Sequence, residues 1–119
     1  MKEFVLIEKK SRFIAYSENI SSVKQFEEML FQIQAQHKKA THICWAYALK
    51  ENGVEVVQFK DDGEPAGTAG KPILSVIEKK KLCDVAVIVV RYFGGVKLGS
   101  GGLVRAYSKA TSGVLQWEL

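Results

Sequence analysis

Two stretches of this sequence place chemically useful residue types close together. The first, Gly94-Gly95-Val96-Lys97-Leu98-Gly99-Ser100-Gly101-Gly102, holds five of the ten glycines. Glycine lacks a Cβ, so backbone N–H groups can turn toward one point and a ligand can approach closely. The segment follows a β-branched run and opens an amphipathic stretch, so a helix start would add free N–H groups and partial positive charge. Such a construction attracts anions. Arg91, Lys97 and Arg105 supply cations, Ser100 can cap or donate, and Arg105 and Lys109 share a helix face. No Asp or Glu stands between Asp84 and Glu118, so the local field is positive although the whole chain carries only +4. The candidate phosphate-binding residues are Lys71, Arg91, Lys97, Gly99, Ser100, Gly101, Gly102 and Arg105. Known phosphate motifs do not fit: Ser100 stands where Walker A requires Lys, and Val104 where the dinucleotide fingerprint requires Gly. Leu98 likewise breaks the hydrolase elbow Gly-x-Ser-x-Gly. The competing reading is that these glycines only permit a tight turn and close helix–sheet packing.

The second stretch runs Asp61-Asp62-Gly63-Glu64-Pro65-Ala66-Gly67-Thr68-Ala69-Gly70-Lys71-Pro72. Its carboxylates suit a cation site, or acid–base work by Asp62 or Glu64 on a substrate held by the other loop. The spacing is not that of an EF-hand, and a solvated turn with Asp62 or Thr68 bonded to local backbone is the simpler reading. His42, at a strand start, is a third weak catalytic candidate. No nucleophile or second metal ligand accompanies it at a recognisable spacing, so a structural role is favoured and no metal is expected. Trp45, Tyr47, Tyr92, Phe93 and Tyr107 can stack bases where exposed, although core packing accounts for most such aromatics.

The elements that would carry these loops are legible. Phe4 to Ile7 and Arg12 to Tyr16 read as short strands. Ser22 and Gln25 match a capping box, and Val23, Phe26, Leu30 and Ile33 recur at helical spacing, predicting a helix over about 23–37. Asn52-Gly53 between the apolar runs His42–Leu49 and Val54–Phe59 predicts a hairpin. Pro72 suits the first turn of a helix, Val85 to Tyr92 reads as a central strand, and a last helix from about Gly102 carries Leu103, Tyr107, Ala110 and Val114 on one stripe. The order β-β-α-β-β-α-β-α predicts a two-layer α+β sandwich, a mixed sheet with helices on one side, as one domain over 1–119. Cys44 and Cys83 lie in apolar runs and are expected as buried reduced thiols. No signal peptide is visible and no apolar run is long enough to cross a bilayer, so the expected location is the cytoplasm.

Several motifs together resemble the IMPACT/YigZ family. They are Lys10-Ser11-Arg12-Phe13-Ile14-Ala15, His42-Ile43-Cys44-Trp45-Ala46-Tyr47, the segment Asp61 to Leu74, and Val89-Val90-Arg91-Tyr92-Phe93-Gly94-Gly95-x-Lys97-Leu98-Gly99-x-Gly101-Gly102-Leu103-Val104-Arg105-Ala106-Tyr107. The resemblance covers nearly the whole chain. It implies the fold of the second domain of ribosomal protein S5, shared with RNA-binding and ribosome-associated proteins and with small-molecule kinases. It also implies a further ferredoxin-like domain in bacterial members, which this sequence does not include. Eukaryotic relatives act on translation through the amino-acid-starvation kinase pathway, with an added N-terminal domain that this chain lacks. No enzymatic activity and no cofactor follow from it.

The leading expectation is a nucleic-acid-binding module, for RNA or the ribosome, near translation. Two alternatives stand beside it: an enzyme acting on a phosphorylated small molecule, and a protein-interaction regulator of a translation-control kinase pathway. The deciding observation is whether the two glycine-bearing loops and the cations converge on one open groove.

Overall fold

The computed structural model describes residues 1–116. The strands β1 (Lys2–Glu8), β2 (Ser11–Asn19), β3 (His42–Glu51), β4 (Val54–Lys60) and β5 (Val85–Tyr92) form one sheet in the order β1-β2-β5-β3-β4. The helices are α1 (Val23–Gln36), α2 (Gly70–Lys79) and α3 (Gly99–Val114). The α+β class is as expected, but two details differ. Every strand pair is antiparallel, so the sheet is not mixed. The helices also occupy both faces. Phe13, Ala15, Cys44, Ala46, Val87 and Val89 pack with Ile73 and Ile77 of α2 and Leu103, Ala106 and Tyr107 of α3. Ile14, Tyr16, Tyr47, Ile88 and Val90 point the other way and pack with Phe26, Met29 and Ile33 of α1. The central strands are apolar on both faces, so each face needs its own cover.

β5 pairs on either side with β2 and β3. β2 therefore runs parallel to β3, and β4 to β5, with one strand intervening each time. The β2-α1-β3 and β4-α2-β5 crossovers lie on opposite faces, which gives them opposite hands. One of the two is left-handed, the rare sense for such a connection.

Local chemistry explains the joints. Ser22 caps α1 by accepting from the Gln25 amide at 3.2 Å, while the Gln25 side chain accepts from the Ser21 amide at 2.5 Å. At the far end, His37 sits between the hydroxyls of Tyr16 and Tyr92, 2.7 Å from each, and burial holds its imidazole below the usual basicity. Asn52 and Gly53 turn the β3-β4 hairpin with φ of 51° and 79°. The β1-β2 hairpin makes the same kind of turn with two lysines, Lys9 at φ 45° and Lys10 at φ 67°. Side chains other than Gly and Asn resist this conformation by about 1–2 kcal/mol per residue. α2 starts at Gly70 and so holds Pro72 in its first turn, as expected, while α3 begins earlier than expected, at Gly99, so the last four residues of the Gly94–Gly102 stretch form its first turn.

Cys44 is buried as expected, but Cys83 is exposed, because it lies in the turn that leads from α2 into β5 rather than within an element. Burial chiefly, with the nearby Glu64, Asp62 and Asp61 carboxylates, pushes the Cys44 thiol up to about 12, while its hydrogen bond with Tyr107 opposes this in part. At pH 8 its thiolate fraction is then about one in 10⁴. Alkylation of the native protein at that pH should give one adduct, on Cys83, and two after denaturation, read by intact mass. Two adducts in the native state would contradict the packing around Cys44. The thiol's ordinary value is 9.0, so its contribution to stability is complete below pH 9 and declines as pH rises from there toward about 12.

Candidate anion pocket between the two loops

β5 is apolar and buried from Val85 to Val90, yet ends in Arg91, which is only 5% exposed. Strand alternation places Arg91 on the face of Val85, Val87 and Val89, beneath α2 and α3. A guanidinium there requires a counter-charge, and the acidic loop supplies it. Arg91 Nη1 donates to both carboxylate oxygens of the buried Glu64, at 3.0 and 2.8 Å. Arg91 Nη2 donates to Ser11 Oγ at 3.2 Å, which also accepts from the Gly94 amide at 3.2 Å. The guanidinium carbon lies 5.4 Å from the ring centroids of both Phe13 and Phe93. Arg91 Nε is buried with no partner.

The network extends from Glu64. The Tyr107 hydroxyl donates to Glu64 Oε2 at 2.5 Å, and burial first, then Cys44 and Glu64, raise the phenol above its ordinary value. Cys44 Sγ lies 3.0 Å from the Asp61 carbonyl and 3.4 Å from the Tyr107 hydroxyl. His42 neighbours Arg91 across the β3-β5 ladder. Its Nδ1 is 2.9 Å from the Asp62 carbonyl, which can only accept, so Nδ1 carries hydrogen. Its Nε2 is left facing Glu64 Oε1 at 3.4 Å.

Asp61 and Asp62 are committed to the backbone. The Asp61 carboxylate accepts from the amides of Gly67, Ala69 and Gly70, at 2.9, 3.1 and 2.8 Å, and so satisfies donors around the start of α2. Asp62 Oδ2 accepts from the Ile43 amide at 2.7 Å. Thr68 Oγ1 donates to the Pro65 carbonyl at 2.6 Å. These bonds hold the acidic loop over the end of β5 and seat Glu64 on Arg91. Among the described residues, no group of three or more His, Cys, Asp or Glu side chains is placed to hold a metal.

Both loops meet at a pocket of about 430 Å³ whose walls include His42, Glu64, Phe93, Lys97, Gly99 and Ser100, with Arg91 in its lining. α3 enters it with no side-chain cap, so the N–H groups of its first turn are free of capping side chains. Phe93 is 46% exposed. Lys97 and Ser100 are exposed as well.

The sequence-derived site residues are distributed unevenly. His42, Glu64, Arg91, Lys97, Gly99 and Ser100 come together in this pocket. Gly102 and Arg105 line a smaller neighbouring recess. Lys71 is exposed on α2 and, like Gly101 and Asp62, lines neither cavity. Trp45 and Tyr47 pack against Phe26 beneath α1, and Tyr107 is fully buried against Phe13. The Arg91–Glu64–Tyr107–Cys44 network was not anticipated. Its one legible signal was the period-2 series Val85, Val87, Val89, Arg91, which put a charge on an inward face.

Comparison with known proteins places these features in a lineage. Residues 9–115 match the Impact N-terminal domain. The chain is 46% identical over 110 residues to the IMPACT family member YvyE of Bacillus subtilis, covering 92% of this chain and 50% of that protein. It is 41% identical over 112 residues to the IMPACT family member YigZ of Escherichia coli, covering 91% of this chain and 53% of that one. The chain thus spans about half the length of the curated relatives it matches. A crystal structure of a hypothetical protein superposes with a TM-score of 0.88 at 36% identity, covering 97% of this chain and 56% of that chain. The two-domain translational regulator Yih1 superposes with a TM-score of 0.62 at 27% identity, covering 97% of this chain and 45% of that one.

Proposed function

We infer, from the premise that this chain belongs to the IMPACT family, that it is an anion-binding module for RNA or ribosomal phosphate working in translation control. The link to translation rests on its likeness to the translational regulator Yih1. One observation supports the ligand class: the exposed Lys97 and Ser100 and the uncapped start of α3 border one open pocket. The acidic wall does not repel an anion strongly, because the Glu64 carboxylate is already paired with Arg91. A phosphate at the rim would meet an exposed ammonium and free backbone donors, contacts that position a strand without reading its sequence.

Binding of this kind releases counterions, so affinity should fall steeply with salt. Lys97→Ala is expected to weaken binding of a labelled RNA across sequences and to lower the log–log salt slope by about 1, measured by fluorescence anisotropy. A wild-type protein with no salt-sensitive RNA binding at low ionic strength would defeat the proposal.

The pocket's volume is also compatible with a small phosphorylated molecule, and His42 is among its lining residues. Thermal stabilisation by a nucleotide or sugar phosphate, absent with RNA, would favour this second reading.

A further inference from the structure

Leu98 lines the pocket on one side and the smaller recess on the other, so the two cavities share a wall. The recess carries Lys9, Arg105 and Lys109, against the single carboxylate of Glu8. Glu8 lies 3.4 Å from Lys109 Nζ, but both side chains are well exposed, at 36% and 62%, so solvent screens the pair and the recess stays electropositive.

The position of Lys9 is built rather than incidental. It comes from a turn in which two lysines hold positive φ, where the chain's other hairpin uses Asn-Gly. The turn is clamped to the glycine stretch. A Cβ on Gly94 would lie 2.0 Å from the Lys10 carbonyl oxygen, and Ser11 Oγ ties the Gly94 amide and Arg91 to the same hairpin. Conformations held against local preference mark places where the surrounding structure imposes them. Here the outcome is an ammonium beside two cations of α3.

The occupant must be negative at two neighbouring points and present a flat apolar surface at the first. Phe93 supplies the matching aromatic surface in the pocket, nearly half exposed, with Arg91 against its ring. Cationic grooves interleaved with exposed aromatics take single-stranded nucleic acid, whose unpaired bases stack. A run of carboxylate side chains alone carries no flat group for the aromatic face, and a duplex has its bases already stacked.

We propose that a single-stranded polynucleotide crosses Leu98, with one phosphate at Lys97 and the start of α3, a base on Phe93, and a following phosphate in the Lys9–Arg105–Lys109 recess. This rests on the anion pocket of the preceding subsection and adds to it the path and length of the ligand.

The test is anisotropy of the full chain with labelled oligouridylates, a dinucleotide against a decanucleotide, at several salt concentrations. Affinity should rise steeply with length. Combining Lys9→Asn, Arg105→Gln and Lys109→Gln should weaken the decanucleotide by about tenfold or more and lower its salt slope by about 2, at roughly 0.7 per cation for single strands. Dinucleotide binding should be unchanged. Lys9→Asn alone suits the left-handed turn, so it should raise thermal stability while weakening the decanucleotide, which separates charge from folding. Phe93→Ala should weaken both lengths. Tighter binding of oligouridylate than of oligothymidylate assigns the strand as RNA, and the reverse as DNA; either result supports the path.

Equal affinity for both lengths, or a triple variant that keeps the decanucleotide, overturns the path while Lys97-dependent dinucleotide binding keeps the pocket. Polyglutamate binding as tightly as the decanucleotide, unaffected by Phe93→Ala, overturns the nucleic-acid assignment. No binding by either length, even at low salt, removes both the pocket reading and this one.

Discussion

Glu64→Gln is expected to lower the free energy of unfolding by about 3–5 kcal/mol, the range for breaking a buried ion pair by removing one partner. The substitution keeps the shape and leaves Arg91, 5% exposed, without its counter-charge. A guanidinium cannot shed its charge by giving up a proton, so the desolvation cost stays in full. The Tyr107 hydroxyl also loses a charged acceptor at 2.5 Å. At roughly 4 °C per kcal/mol, the midpoint of thermal unfolding should fall by about 12–20 °C. Arg91→Met should cost less, because an orphaned carboxyl can take up a proton, and the difference should widen as pH is lowered. The double variant should regain part of the loss, since an apolar pair of similar volume tolerates burial. A Glu64→Gln protein that melts with wild type would mean that water, not Glu64, compensates Arg91.

Gly94→Ala is expected to be the most damaging single methyl addition in the loop, at about 3 kcal/mol, the upper end for overpacking. The added Cβ would stand 2.0 and 2.1 Å from the Lys10 carbonyl oxygen and carbon. Backbone atoms cannot swing aside as a flexible side chain can, so the hairpin tip or the glycine segment must move. Movement lengthens the Gly94–Ser11 bond, and with it the support for Arg91 Nη2. It also displaces Phe93, whose amide donates to Thr41 Oγ1 at 3.0 Å. Gly95→Ala is the internal control. Gly95 sits at φ 91° with nothing within 4 Å of a Cβ, so it should cost only the conformational term, about 1–2 kcal/mol. Chemical denaturation of the two variants measures the contrast. Equal stabilities would mean that the hairpin does not rest on Gly94.

The elements were readable because their signals are local. Ser22 and the Val23, Phe26, Leu30, Ile33 spacing define α1 within a few residues, and Asn52-Gly53 defines the β3-β4 turn. The side of the sheet that α1 covers was not readable. Periodicity states which residues share a face of a helix, and nothing in α1 distinguishes one apolar face of β2, β5 and β3 from the other. The start of α3 was misplaced for a related reason. Glycine disfavours helix in isolation, yet packing of Leu103, Ala106 and Tyr107 carries the helix back through Gly102, Gly101 and Ser100 to Gly99. The convergence of the loops is long-range in the same sense. Glu64 looks like a turn residue beside Asp61, Asp62 and Gly63, and only the inward register of Arg91 requires a carboxylate at that point. Lys97, Gly99 and Ser100 were recognisable as a group because they lie within four residues of one another, whereas Arg105, a turn further on, belongs to the neighbouring recess.

The position of β5 has a consequence for how the molecule is made. The β1-β2 and β3-β4 hairpins have no direct pairing, and within the sheet each is bonded to the other only through β5, the last of the described strands. Without residues 85–92 the preceding residues can pair as two separate ribbons but not as one sheet. Arrival of that strand joins both ribbons at once and brings Arg91 under Glu64, whereas the far wall of the pocket, residues 97–103, follows later in the order of synthesis, so the sheet can close before the pocket is complete.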